Sequence, residues 1–322
     1  RLQRTTEGFY TSDSELNAEL ARTYTDALAE VRRNRGRRDA VETRARELMA
    51  ADGITGVPAA RVLAAYRQEA EEEAARQLAG EWTQRVGSAF ADRYGRRWGG
   101  GADPLRDMVV SQTQFSGERE ALARLESGGG LTPARAAEIG QAGWGMDREM
   151  VLAGLGNRTT QQLARISADY RTNTGGGDML ADLRSETGGW TDATPDRNLE
   201  RDAFDISEAM RGVPTNPHEE HAAARRRFGY ERDVYFGGAP GRPGAVGPEF
   251  ASLRRQMDRA DARMREWEAA TASGDTGTAR RLEAGLAMAR DSVGVSADAY
   301  RRAVDDHVEG VDEGPTCDHV AD

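Results

Sequence analysis

Lysine is missing altogether: all 44 basic residues of this 322-residue chain are arginine. They are outnumbered by 54 acidic residues, and the net charge of −10 excludes a general nucleic-acid binder. Cysteine is reduced to Cys317, so no intramolecular disulfide can form and a disulfide-stapled scaffold is excluded. No apolar run approaches the roughly 20 residues that cross a bilayer, and no charged-then-apolar segment opens the chain, so any membrane role is peripheral. Aromatics make up only 6% and hydrophobic residues 38% of the chain, which predicts a thin, helix-built core. The opening Arg1 and the polar last dozen residues fit a piece of a longer polypeptide, soluble in the cytoplasm or exported within that longer chain. Nucleophile elbows, phosphate-cradling glycine loops and convergent acid pairs are all missing, so no enzyme is expected.

What is present is helix chemistry. Ala, Arg, Glu, Leu and Met fill segment after segment, and period-two runs of β-branched residues are scarce, so the fold class is all-α. Glycine and proline mark breaks at Gly53 to Pro58, Gly99 to Gly101, Gly128 to Gly130, Gly175 to Gly177, Gly188 to Gly189 and Gly237 to Pro248. Helix starts carry capping residues: Thr132 before Pro133, Thr159 with Gln162, Asp178, and Asn216 before Pro217 with Glu219. Leu163, Ile166 and Tyr170 mark one buried face of a helix from about residue 160 to 172, and Met179, Leu180 and Leu183 mark that of the next. Helices this short are marginal alone and must be held by neighbours.

The chain also echoes itself. Tyr94-Gly95, Gly99 to Gly101 and Asp103-x-Leu-x-Asp107 match Tyr170, Gly175 to Gly177 and Asp178-x-Leu-x-Asp182, about 75 residues on, and Gly143-Trp144-Gly145-Met146-Asp147 finds a weaker echo at Gly212 to Asn216. A unit of about 70–75 residues with four or five short helices exceeds tetratricopeptide, HEAT and ankyrin repeats.

Residues Pro133 to Gly189 resemble an annexin repeat: a first helix, a Gly-x-Gly loop, an acidic helix start, a helix ending near Tyr170, then Asp178-x-Leu-x-Asp182-Leu183-x-Ser185-Glu186-Thr187-Gly188. The resemblance implies stacked helical repeats, each a right-handed superhelical bundle, and a Ca²⁺ site. Its carbonyl donors are then Gln141, Gly143 and Gly145, and its bidentate acid is Glu186, 41 positions after Gly145. Ca²⁺ takes six to eight oxygens at flexible geometry, and glycines let a tight loop turn carbonyls inward. One carboxylate leaves the ion under-neutralised, which favours a phosphate as further ligand; alone, such a site binds on the order of 10⁻⁴ to 10⁻³ M. Trp144 at the loop apex either meets the membrane interface or folds back to fill a gap. Met146 stands where annexins usually have Thr, Gln114 where the preceding unit needs its acid, and Pro214 where the following unit needs its second glycine. Those flanking units therefore read as structural, and the middle unit's fifth helix as shortened or lost.

The expected organisation is a helical lead-in at 1–50, a degenerate annexin-like repeat at 51–128, and the repeat with the calcium site at 129–199. A degenerate repeat or helical hairpin at 200–310 and a polar tail at 311–322 complete it. Helices are expected near 250–270, 276–290 and 296–308. The expected function is calcium-dependent, peripheral binding to anionic phospholipid; the alternative is a structural or protein-binding scaffold, inside a larger secreted or toxin-like protein, with vestigial calcium chemistry. Three further features have bland readings beside sharp ones. His218 and His221 lie one turn apart without a third metal ligand. Cys317, His319 and His307 are either zinc ligands or tail residues. The run Arg32 to Arg38, with five guanidiniums in seven residues, and Arg225 to Arg227 are either phosphate clamps or solvated helix surface.

Overall fold

The computed structural model describes residues 13–54, 60–94, 116–141, 146–188, 197–232 and 247–312. Among them are twelve α-helices and no strand, as the composition requires. The chain divides into two units, Arg1–Val213 and Pro214–Asp322.

The first unit begins with α1 (Asp13–Arg33), α2 (Arg35–Ala51) and α3 (Ala60–Tyr94), followed by α4 (Ser116–Glu126). Val41, Ala45 and Met49 recur every four residues along α2 and are buried, a stripe that pins this short helix to its neighbours. They join Ala27 and Val31 of α1 and Val62, Tyr66, Ala70, Ala75 and Ala79 of α3 in one core, where the alanines keep the facing helices close. After α4 the chain turns at Gly128 (φ +71°) and Gly129 (φ +90°), in the left-handed region. A Cβ at Gly128 would sit 2.4 Å from the carbonyl oxygen of Arg76, and one at Gly130 would sit 2.4 Å from the Tyr24 ring. The glycine triplet therefore lets this turn lie flat on α1 and α3.

Five helices follow: α5 (Pro133–Gly140), α6 (Arg148–Leu155), α7 (Thr160–Asn173), α8 (Met179–Gly188) and α9 (Arg197–Arg211). Three of these starts use the capping residue expected of them. Thr132 accepts from Arg135 N, Thr159 and Gln162 form a reciprocal capping box, and Asp178 accepts from Leu180 N and Ala181 N. Val151, Leu155, Leu163, Ile166, Tyr170, Met179, Leu183 and Ile206 close a second core with Ala134 and Ala137.

Where a shortened or lost fifth helix was expected, α9 has 15 residues, and its Ile206 belongs to the second core. The boundary read at 199 falls inside α9. Of the echoed segments, Tyr94 ends a helix of 35 residues and Tyr170 lies in one of 14. Residues 95–115, including Gln114, lie outside the described residues.

The second unit contains α10 (Pro217–Tyr230), α11 (Gly247–Ala272) and α12 (Thr276–Asp312). Asn216 caps α10 by accepting from Glu219 N, while the Glu219 carboxylate accepts from Thr215 N. The two expected helices 276–290 and 296–308 are one continuous α12. Val293 and Ala297 carry its buried stripe across the expected gap, so packing overrides the low propensity of Gly294. One core joins Ala224 to Leu253, Met257 and Ala260 of α11 and to Ala289, Val293, Ala297, Tyr300 and Val304 of α12. Glu231, at 0% exposure, accepts from Arg301 Nε at 2.6 Å and pairs with Arg227 at 3.1 Å.

Candidate functional site

The α5–α6 turn is where the expected calcium loop falls. Gly143, Trp144 and Gly145 lie outside the described residues, but both ends of the loop are described. Its base is closed by Asp147 N donating to Gly140 O at 2.7 Å. A Cβ on Gly140 would come 2.7 Å from Val151 Cγ2, so glycine is what lets the two helices close there. Asp147 also caps α6, accepting from Met150 N at 2.9 Å. Gln141 ends α5 with its amide nitrogen donating to Ala137 O at 2.7 Å.

The other side of the site is α8. Tyr170, buried at the end of α7, donates to Asp182 Oδ2 at 2.9 Å, and its hydroxyl lies 3.5 Å from Gln141 Oε1. One tyrosine thus links the start of the loop to α8. Burial first, and then the Asp182 carboxylate, push its phenol up to about 12. Glu186 sits one turn beyond Asp182 on an exposed face. The fold therefore joins Gln141 to Asp182 in the first turn of α8 through Tyr170, while Glu186 lies in the last turn of that helix without a described contact to Gln141. No cluster of three or more His, Cys, Asp or Glu side chains suited to a metal occurs among the described residues.

The other sequence candidates resolve into structural contacts. His221 Nε2 lies 2.6 Å from Asp261 Oδ1, and His218 packs edge-on against Trp267 with ring centroids 5.1 Å apart, so both histidines fasten α10 to α11. Burial raises Asp261, but hydrogen bonds from Arg225 and His221 outweigh it and hold the carboxyl below its usual range. Within the arginine run, Asn34 caps α2, Arg32 bonds Glu71 at 2.8 Å, and Arg38 donates to Arg32 O. The run is a helix junction with solvated flanks. Arg227 is engaged by Glu231 and Asp298. The His307 side chain, Cys317 and His319 lie outside the described residues.

A polar cluster that sequence reasoning missed joins α7 to α3. Arg158, 2% exposed, donates through Nη2 to both oxygens of Glu72 at 2.8 Å and through Nε to Gly154 O at 3.1 Å. Gln162 donates to Glu69 at 2.6 Å and to Ala65 O at 3.2 Å. Arg165 donates through Nη2 to both oxygens of Glu69 at 2.8 Å and through Nη1 to Asp52, which accepts from Tyr66 as well. Its guanidinium is held above the usual range: burial opposes this, but the bonds to Asp52 and Glu69 win. The signals available in sequence were the acidic stretch Glu69 to Glu73 and the capping box at Thr159, neither of which names the other.

Compared with protein-family models, curated proteins and solved structures, the chain gives no match.

Proposed function

We propose that the α5–α9 bundle is an annexin-like module that binds anionic phospholipid surfaces reversibly when Ca²⁺ occupies the α5–α6 loop. Backbone carbonyls of Gln141, Gly143 and Gly145 and the Glu186 carboxylate would hold the ion. Hard oxygen donors of this kind, carbonyl and carboxylate without thiolate or imidazole, suit Ca²⁺. When bound, the ion would supply positive charge that a lipid phosphate can share. The observation that carries the reading is the tie between the two halves of this donor set. Asp147 N pinches the loop shut on Gly140 O, and Tyr170 links Gln141 to the helix that bears Glu186. Trp144 at the loop apex would enter the interface.

The test is sedimentation with phosphatidylserine vesicles in millimolar Ca²⁺ or in chelator. The intact chain should pellet only with Ca²⁺, and Glu186→Ala should stay in solution; equal pelleting of both would remove the proposal.

A second reading, an annexin-like scaffold that engages another protein and has lost calcium chemistry, draws support from α3. Its single 35-residue helix departs from a plan of short repeated helices. Unchanged thermal stability on adding millimolar Ca²⁺ would favour this reading, since a ligand bound only by the native state raises stability.

A further inference from the structure

The first unit holds two hydrophobic cores that share no residue, one from α1–α3 and one from α5–α9. Between them runs a belt of charged and polar pairs, flanked by Leu28, Ala64, Pro133 and Ala136. Among the described residues, the buried polar ones of this unit, Arg158, Thr159 and Gln162, all sit on that seam, with Glu69 and Glu72 of α3 opposite. The Glu72–Arg158 pair is also flanked by space on both sides. A groove of about 820 Å³ runs between the α1/α3 wall and the α5/α6 wall, a hollow of about 320 Å³ lies toward α7, and both residues line each of them.

Parting two apolar faces exposes oil to water at roughly 25 cal/mol per Å². Parting guanidinium from carboxylate instead returns two ions to water and recovers the hydration that burial removed. The seam is therefore the surface along which this unit separates most easily. We infer that the Glu72–Arg158 and Glu69–Arg165 pairs act as an electrostatic latch: the α1–α4 and α5–α9 bundles swing apart along it with their cores intact, and the groove and the hollow merge into one cleft. The covalent joint is the turn at Ser127 to Thr132, where Gly128 and Gly129 hold left-handed backbone. This device does not require calcium, although Asp147 at the end of the α5–α6 loop lines the same groove.

Double electron–electron resonance on the full chain tests it. Spin labels go on Arg46→Cys of α2 and Arg171→Cys of α7, two exposed sites across the seam, with Cys317→Ser as background. Screening lengths fall from about 30 Å to about 3 Å between roughly 0.01 M and 1 M salt. The expected result is one narrow distance at low salt and a second, longer peak at high salt. Glu72→Gln should show the longer peak already at low salt. A control pair inside one bundle, Arg22→Cys with Arg46→Cys, should keep a single distance throughout. An unchanged cross-seam distance in 1 M salt overturns the latch whether or not the Glu72 variant folds. Equal broadening of the control pair overturns it too, because the whole unit would then be loosening.

Discussion

The two units bury charge in opposite ways. In the second, Glu231 is sealed inside a three-helix bundle, held by Arg301 and Arg227 beside the one apolar core. In the first, Arg158 is equally hidden, yet its partner Glu72 borders two hollows and retains 15% side-chain exposure between two separate cores. An enclosed pair fixes how helices pack; a pair beside open space can be exchanged for water. Removing one partner should therefore cost more in the second unit than in the first.

Glu231→Ala removes the buried carboxylate that Arg301 and Arg227 share and should destabilise the second unit by about 3–5 kcal/mol, read from denaturant unfolding. A loss below about 1 kcal/mol would erase the contrast between the units. Arg158→Ala should cost less, about 2–3 kcal/mol, because Glu72 keeps Gln68 and Arg76 as partners and water can reach it. If the two losses come out in reverse order, the distinction between sealed and bordered pairs is wrong. Gly128→Ala forces a side chain into left-handed backbone and against Arg76 O, and should cost the first unit about 2 kcal/mol while leaving the second unit's transition in place.

An alkaline titration sharpens the same comparison without mutation. Burial first, then a carboxylate partner, raise Tyr66 and Tyr170, both in the first unit, from 10.0 to about 12. A phenol whose folded pKa is raised contributes stability in full below pH 10 and loses it as pH climbs through 10 to 12. Ultraviolet absorbance should thus show late ionisation of Tyr66 and Tyr170, joined by Tyr24, which burial also raises, with the first unit weakening above pH 10. Ionisation of every tyrosine near 10 would contradict this. Least affected should be Met288→Ser, at a side chain 67% exposed on α12, with a change within about 0.5 kcal/mol.

Legibility in the sequence followed the range of the interactions. The caps at Thr132, Thr159, Asp178 and Asn216 were readable because each bonds backbone only two or three residues away. The buried face of α7 was readable from the spacing of Leu163, Ile166 and Tyr170. By contrast α9 was misjudged although Leu199, Ala203, Ile206 and Met210 recur at helical spacing, because a stretch rich in Thr, Asp and Pro separates it from the rest of the second core. The unbroken α12 was hidden by glycines that tertiary packing tolerates. Partners across the seam are 86 to 113 positions apart, beyond any periodic signal. Of the candidate site, Gln141 and Glu186 were found through resemblance alone, whereas the clamp at Gly140 and the Tyr170 bridge needed coordinates.

Because lysine is wholly missing, every side-chain cation across the seam is a guanidinium. Acetyltransferases, ubiquitin ligases and amine-directed reagents find no ε-amino group to modify, so the commonest chemical route for erasing positive charge from a protein surface is closed here. Charge-directed control of the contact between these bundles is left to the guanidiniums themselves, the carboxylates and the surrounding ions.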